Sequence, residues 1–247
     1  MHEEYVKGRN AYSYPPVGLC ALKSLDNPSD WEQSYQRHEF KTTLELDLHH
    51  FSHLHSSDDQ EVLLGIYSVM YWGYITSGAK SKTRCDWLSM GNSRNPAVSI
   101  NHIGASAAVQ IIRNCIPLLE SKQYGCALSV IRKLPHVGVS FGTKYLAFLD
   151  LENVGVLDDK ITRHLASGSY EHVLSKEKLL LLVKPKNESP SSAAARFQAF
   201  CEALGSIKSK VNASKKGWKD VSGAEMCRFR TVDIERALFA IAKAKDA

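Results

Sequence analysis

The chain has 247 residues, 44% of them hydrophobic, with 31 basic against 26 acidic residues, a formal charge of +5 and a pI near 8.8. That composition excludes a disordered chain and allows one core or two closely packed helical lobes, while the modest positive charge suits a nucleic-acid partner without establishing one. The six cysteines (20, 85, 115, 126, 201 and 227) form no C-x-x-C pair, which argues against a zinc site, an iron–sulfur cluster and a disulfide framework.

No run of 18 apolar residues occurs and the first residues, MHEEYVKGRN, lack the apolar core of a signal peptide, so the expectation is a cytoplasmic protein with no membrane partner. Residues 1–40 are rich in Tyr, Pro, Asn and Ser and show no sustained periodicity; they are expected as an extended N-terminal arm, with 41–247 forming a helical domain of two lobes. The run Leu48 to His55 holds four histidines, and His49 and His53 are spaced i, i+4 as metal ligands can be, but no carboxylate or cysteine completes a set. A solvated helix face is the reading there.

Residues 60–76 are apolar on nearly all sides, as a central buried helix would be, and Tyr71 and Trp72 read either as core or as a platform for a base. From Gly78 to Pro96 the chain reads as a polar loop with Lys80, Lys82, Arg84 and Arg94 and an exposed Trp87. Asn92 and Arg94 in it are candidates for a wedge that fills the stack when a base is extruded; the alternative is a solvated surface loop. Helices are expected at about 102–116, 121–133, 140–150 and 159–167, then over 193–210 and 232–243. The stretch LSKEKLLLLVKP is open between a short strand and a helix end. The fold class is all-α.

Between the second and third of those helices stands Leu134-Pro135-His136-Val137-Gly138. Pro135 ends one helix, Gly138 can take a positive φ, and Leu134 and Val137 are apolar pegs between the flanking helices. The helix opening near Ser140 then presents free N–H groups and a positive dipole end, suited to a phosphate. Eighteen residues after Ser140, Asp158 stands at the mouth of another helix. It is either a plain N-cap or a carboxylate placed for chemistry. Lys144, i+4 from Ser140 and flanked by Phe141, Tyr145, Ala147 and Phe148, would lose hydration and thus part of its charge; otherwise it snorkels outward or pairs with a phosphate.

This layout resembles the helix-hairpin-helix (HhH-GPD) DNA glycosylase superfamily, whose hairpin is usually written L-P-G-V-G. Phe141-Gly142-Thr143-Lys144-Tyr145-Leu146, the later Leu157-Asp158, and Phe229 to Phe239 resemble a bacterial 8-oxoguanine DNA glycosylase-like (OGG-like) group within it. The resemblance is firm over 120–166, weaker over 60–115 and 192–245, and absent before 40. It implies a two-lobed helical fold that binds double-stranded DNA or a modified nucleobase or nucleotide. His136, Gly138 and Ser140 would bind a phosphate, and the hairpin carbonyls could hold a monovalent cation, with no other cofactor.

The implied activity is extrusion of a damaged or modified purine, 8-oxoguanine or another guanine derivative, and cleavage of its N-glycosidic bond with Asp158 as the carboxylate. The setting implied is bacterial repair or defence, with operon-encoded protein partners. Lyase activity would follow if Lys144 forms a Schiff base. Ser140, in the slot of the Schiff-base lysine of bifunctional members, fits a water-using enzyme instead, and His136 replaces the usual glycine. The competing reading is a catalytically inactive DNA-binding or complex-forming protein that keeps the fold.

Overall fold

A computed structural model of the chain describes residues 2–22, 35–77, 79–167, 174–214, 217–219 and 226–245. It is mainly helical, with two small antiparallel β pairs among the described residues. At its centre is α3 (Asp59–Trp72), in which every residue from Val62 to Trp72 is buried. The sequence dictates this: the stretch is apolar on nearly all sides, and its one serine is bonded. Ser68 accepts the Leu19 N–H at 2.9 Å and pairs with His50 Nε2 at 2.9 Å. The Asp58 side chain caps the helix by accepting the Gln60 N–H at 2.8 Å.

The elements before it are α1 (His2–Ala11), β1 (Val17–Leu22), β2 (Tyr35–Glu39) and α2 (Thr43–Leu54). Strands β1 and β2 pair antiparallel from Val17↔Glu39, with an irregularity between Leu19 and Ala21. At the start of α2 the N-cap Thr42 accepts the Glu45 N–H at 3.1 Å, and Glu45 reaches back to accept the N–H of the preceding Lys41 at 2.8 Å. After α3 come α4 (Lys80–Met90), α5 (Ile100–Ile103), α6 (Ala105–Glu120), α7 (Tyr124–Ile131), α8 (Val139–Leu149), α9 (Asp159–Ala166), α10 (Lys176–Leu182) and α11 (Pro190–Asn212). The two-residue strands β3 (Trp218–Lys219) and β4 (Met226–Cys227) precede α12 (Thr231–Lys245).

The described part of the N-terminal segment is not an extended arm. Helix α1 packs along α12, closely enough that a Cβ on Gly8 would lie 2.8 Å from the Ala237 carbonyl oxygen. Its buried face is Tyr5, Gly8 and Arg9, with no apolar stripe for periodicity to reveal. Arg9 is buried because it is paired: Nε donates to Asp233 at 3.0 Å. Around it Arg230 bonds Asp233 at 2.8 Å and Asp47 at 2.6 Å, and Arg236 bonds Asp47 at 2.5 and 2.8 Å. These side chains lock α1, α2 and α12 in one orientation.

The expected loop from 78 to 96 is helical over Lys80–Met90. Its buried face is Ser81, Cys85, Leu88 and Ser89, at helical spacing but small and polar, so no hydrophobic period marks it. Trp87 is half-buried rather than exposed, with the Arg84 guanidinium 4.3 Å from its ring. The ambiguous leucine run is the helix α10, with Leu179 and Leu182 buried and Leu180 and Leu181 exposed.

The histidines of α2 and of its C-cap tie elements together, although only His50 is buried and His55 is exposed. His49 Nε2 contacts the Leu19 carbonyl at 2.8 Å, His50 is buried on Ser68, His53 pairs with Glu61, and His55 Nε2 reaches the Leu149 carbonyl at 2.9 Å. Burial, then the neighbouring His53, hold His49 down to about 4.

Candidate active site

The hairpin joins α7 to α8, with Leu134 and Val137 buried as pegs. The left-handed residue is His136, at φ +59°, whereas Gly138 is extended at φ −84°, ψ −172°. The imidazole lies 6.0 Å from the Trp87 ring, which sets the hairpin against α4. Gly138 offers no side chain to cap α8, so N–H groups of its first turn have no side-chain acceptor. Such an end favours an anion.

On α8, Lys144 is half-buried among aromatic rings: Nζ lies 4.9 Å from the Phe141 centroid, 5.2 Å from Trp72 and 5.9 Å from Tyr14. It donates a long bond, 3.4 Å, to the Gly73 carbonyl at the end of α3. Phe141 can pack there only because residue 73 has no side chain; a Cβ would stand 2.4 Å from its ring. Burial lowers the Lys144 amine from its ordinary value, opposed by the neighbouring carboxyl groups of Glu235 and Asp158.

Asp158 is the N-cap of α9, accepting the Lys160 N–H at 2.7 Å. The plain N-cap reading is thus geometrically true, and it leaves the carboxylate's second oxygen uncommitted to that bond. Two contacts place the run before it. The Thr143 hydroxyl accepts the Leu157 N–H at 3.1 Å and donates to the Ser140 carbonyl at 3.0 Å. Gly155 passes so close to α12 that a Cβ would meet Glu235 Cβ at 3.0 Å and Leu204 Cδ1 at 2.5 Å.

These elements line a pocket of about 130 Å³ that opens to the surface. Ser140, Lys144 and Asp158 line it, together with Trp72 and Val156. The remaining wall is Tyr12, Tyr14, Glu235 and Phe239. A more open depression of about 550 Å³ adjoins it, sharing Ser140 and Asp158 and reaching His136, Gly138, Lys160 and Lys184. Arg196 in that depression is held by Glu188 at 2.6 and 3.0 Å. Five of the seven sequence-derived candidates therefore line two joined hollows. Asn92 and Arg94 line neither: Asn92 closes its own turn, accepting the Arg94 and Asn95 N–H groups at 3.0 and 2.9 Å, and Arg94 is exposed.

Glu235 is the residue that sequence reasoning missed. It is 5% exposed, and its carboxyl makes no hydrogen bond to a described residue. Burial pushes it up to about 8, opposed by the Arg236 charge and reinforced by Asp158. At neutral pH it is therefore largely a neutral acid, able to donate a proton or a hydrogen bond into the cavity. Tyr12 and Tyr14 were missed as well, in a segment whose sequence carries no periodic signal. Among the described residues, no three His, Cys, Asp or Glu are grouped to hold a metal ion.

The family model described as "Putative 8-oxoguanine DNA glycosylase OGG-like protein" matches residues 28–239. The chain belongs to this OGG-like family. No curated protein and no solved structure matches it. The family match reaches back to residue 28, beyond the limit of 40 that the motifs alone gave, and it takes in Lys144, Asp158, Glu235 and Phe239. Tyr12 and Tyr14 lie outside the stretch that the OGG-like model covers.

Proposed function

We propose that this OGG-like protein is a DNA glycosylase that extrudes a modified purine, 8-oxoguanine or another guanine derivative, and cleaves its N-glycosidic bond. The observation that carries this reading is that Lys144 and Asp158, on different elements, line one pocket beside the hairpin. The hairpin and the α8 N-terminus would hold a backbone phosphate, and the base would enter between Trp72, Tyr14 and Phe239.

Cleavage of the C1′–N9 bond leaves positive character on the deoxyribose, which the Asp158 carboxylate stabilises. The bonding pair leaves with the base, which takes up a proton; protonated Glu235 is the acid within the cavity. C1′ gains a new bond from the Lys144 amine, whose lowered proton affinity leaves a neutral fraction, or from water. Attack by Lys144, with loss of a proton from the amine, gives an N-glycoside whose C1′–O4′ bond then breaks as O4′ takes up a proton, leaving an iminium ion and a route to strand scission; attack by water gives base release alone. The desolvated setting of Lys144 favours the amine.

Single-turnover base release from duplexes carrying 8-oxoguanine and a panel of other modified purines tests the assignment. Release of at least one base, lost on Asp158→Asn, is the expected result. Tight duplex binding with no release from any member of the panel would establish the binding-protein reading instead.

A further inference from the structure

We propose that Tyr14 is a positioning residue for Lys144, which makes the segment before the family match a working part of the site. The inference rests on Lys144 being the site's amine. Three observations carry it. The Tyr14 hydroxyl lies 3.2 Å from both the Trp72 and the Gly73 carbonyl oxygens, and the Gly73 oxygen is the one that Lys144 Nζ faces. Carbonyls at a helix C-terminus lack partners within the helix, so this hydroxyl fixes the group on which the amine is held. The ring closes the same side of the cavity, packing on Trp72 at 5.0 Å with Lys144 Nζ at 5.9 Å.

Tyr14 is itself held from behind. Tyr12 stacks on it at 6.5 Å and meets Phe239 edge-on at 6.2 Å, while Arg9 on the same segment is bonded to Asp233. The wall is therefore anchored to α12, the helix that also presents Glu235. Tyr14 thus excludes water from Lys144 on one side and sets its acceptor on the other.

The charged and titratable groups that act on Lys144 are Glu235 from α12 and Asp158 from the start of α9; Arg236 and Arg9 act on Glu235 in turn. Tyr14→Ala changes none of these charges but admits water to the amine. Desolvation lowers a lysine, so hydration raises it, and the Lys144 titration midpoint should move up by about one pH unit.

The test is NMR titration of the full chain carrying ¹³C-labelled lysine, with the Lys144 signal assigned by its absence in Lys144→Gln. Thermal midpoints of each variant are measured alongside. Tyr14→Phe separates ring from hydroxyl: a midpoint kept in Tyr14→Phe assigns the effect to the ring, and a midpoint lost assigns it to the hydroxyl. Should Tyr14→Ala fail to fold, Tyr14→Leu, too short to reach the carbonyls, gives a shift of the same sign. A Lys144 midpoint unmoved in the shortened variants overturns the proposal. Wild-type base release, followed in parallel, reads the glycosylase assignment separately: release with an unmoved midpoint sinks only the role of Tyr14, and a shifted midpoint without release sinks only the enzyme reading.

Discussion

The Thr143 hydroxyl accepts the backbone N–H of Leu157 at 3.1 Å, so the helix that carries Lys144 also fixes the residue before Asp158. The two groups assigned to chemistry are 14 positions apart in sequence, and this bond couples their placement. Thr143 is fully buried. Its acceptor cannot be replaced by water without opening the core.

Thr143→Val keeps the shape and removes the acceptor, leaving a buried N–H unpaired. The expected cost is about 1–3 kcal/mol of stability. Base release should fall further than duplex binding, because the lost acceptor fixes the residue before Asp158, whereas the hairpin end of the helix loses only one donor to the Ser140 carbonyl. Thr143→Ser should restore most of both losses. Urea denaturation and single-turnover release, measured on the three proteins, check this.

Much of this arrangement was legible in the sequence, and the reasons are local. The hairpin residues, the i+4 relation of Ser140 and Lys144, and the uninterrupted apolar stretch of α3 are short-range signals, and each has its counterpart in the structure. The segments that escaped bury polar or small residues. Helix α1 buries Arg9 against Asp233, and α4 buries Ser81, Cys85 and Ser89, so neither shows a hydrophobic period. Glu235 looked like one more charged residue on an amphipathic helix. Only the approach of the Gly155 backbone and the neighbouring cavity give it a buried environment, and those contacts are long-range.

Glu235 makes stability depend on pH in a specific direction. Its folded-state value of about 8 stands above the ordinary 4.5, so the carboxyl is protonated in the fold while the unfolded chain has released its proton. Its contribution is fully present below about pH 4.5 and is lost as pH rises through 8. The loss is on the order of a few kcal/mol. Wild-type thermal midpoints should decline across that window, and Glu235→Gln should remove this part of the slope. Parallel slopes for the two proteins would show that Glu235 is not held neutral.

His136 holds a left-handed backbone that glycine adopts freely. Relief of that strain in His136→Gly, worth about 1–2 kcal/mol, is partly offset by glycine's greater freedom in the unfolded chain, about 0.5–1 kcal/mol. The net change should be neutral to stabilising by about 1 kcal/mol. A β-branched residue tolerates that conformation worst, so His136→Val should be destabilising. Denaturant midpoints of the two variants should therefore move to opposite sides of wild type, or His136→Gly should stay level with it.

In the proposed reaction Asp158 and Lys144 act on one sugar. The decisive measurement is base release and borohydride trapping on a duplex that wild type processes, compared among wild type, Asp158→Asn and Lys144→Gln. An imine between Lys144 and C1′ is reducible, so wild type should be trapped covalently and Lys144→Gln should not. Asp158→Asn should bind the duplex and release no base. Undiminished release by Asp158→Asn would contradict the account, because no catalytic role would then remain for the carboxylate at the mouth of α9.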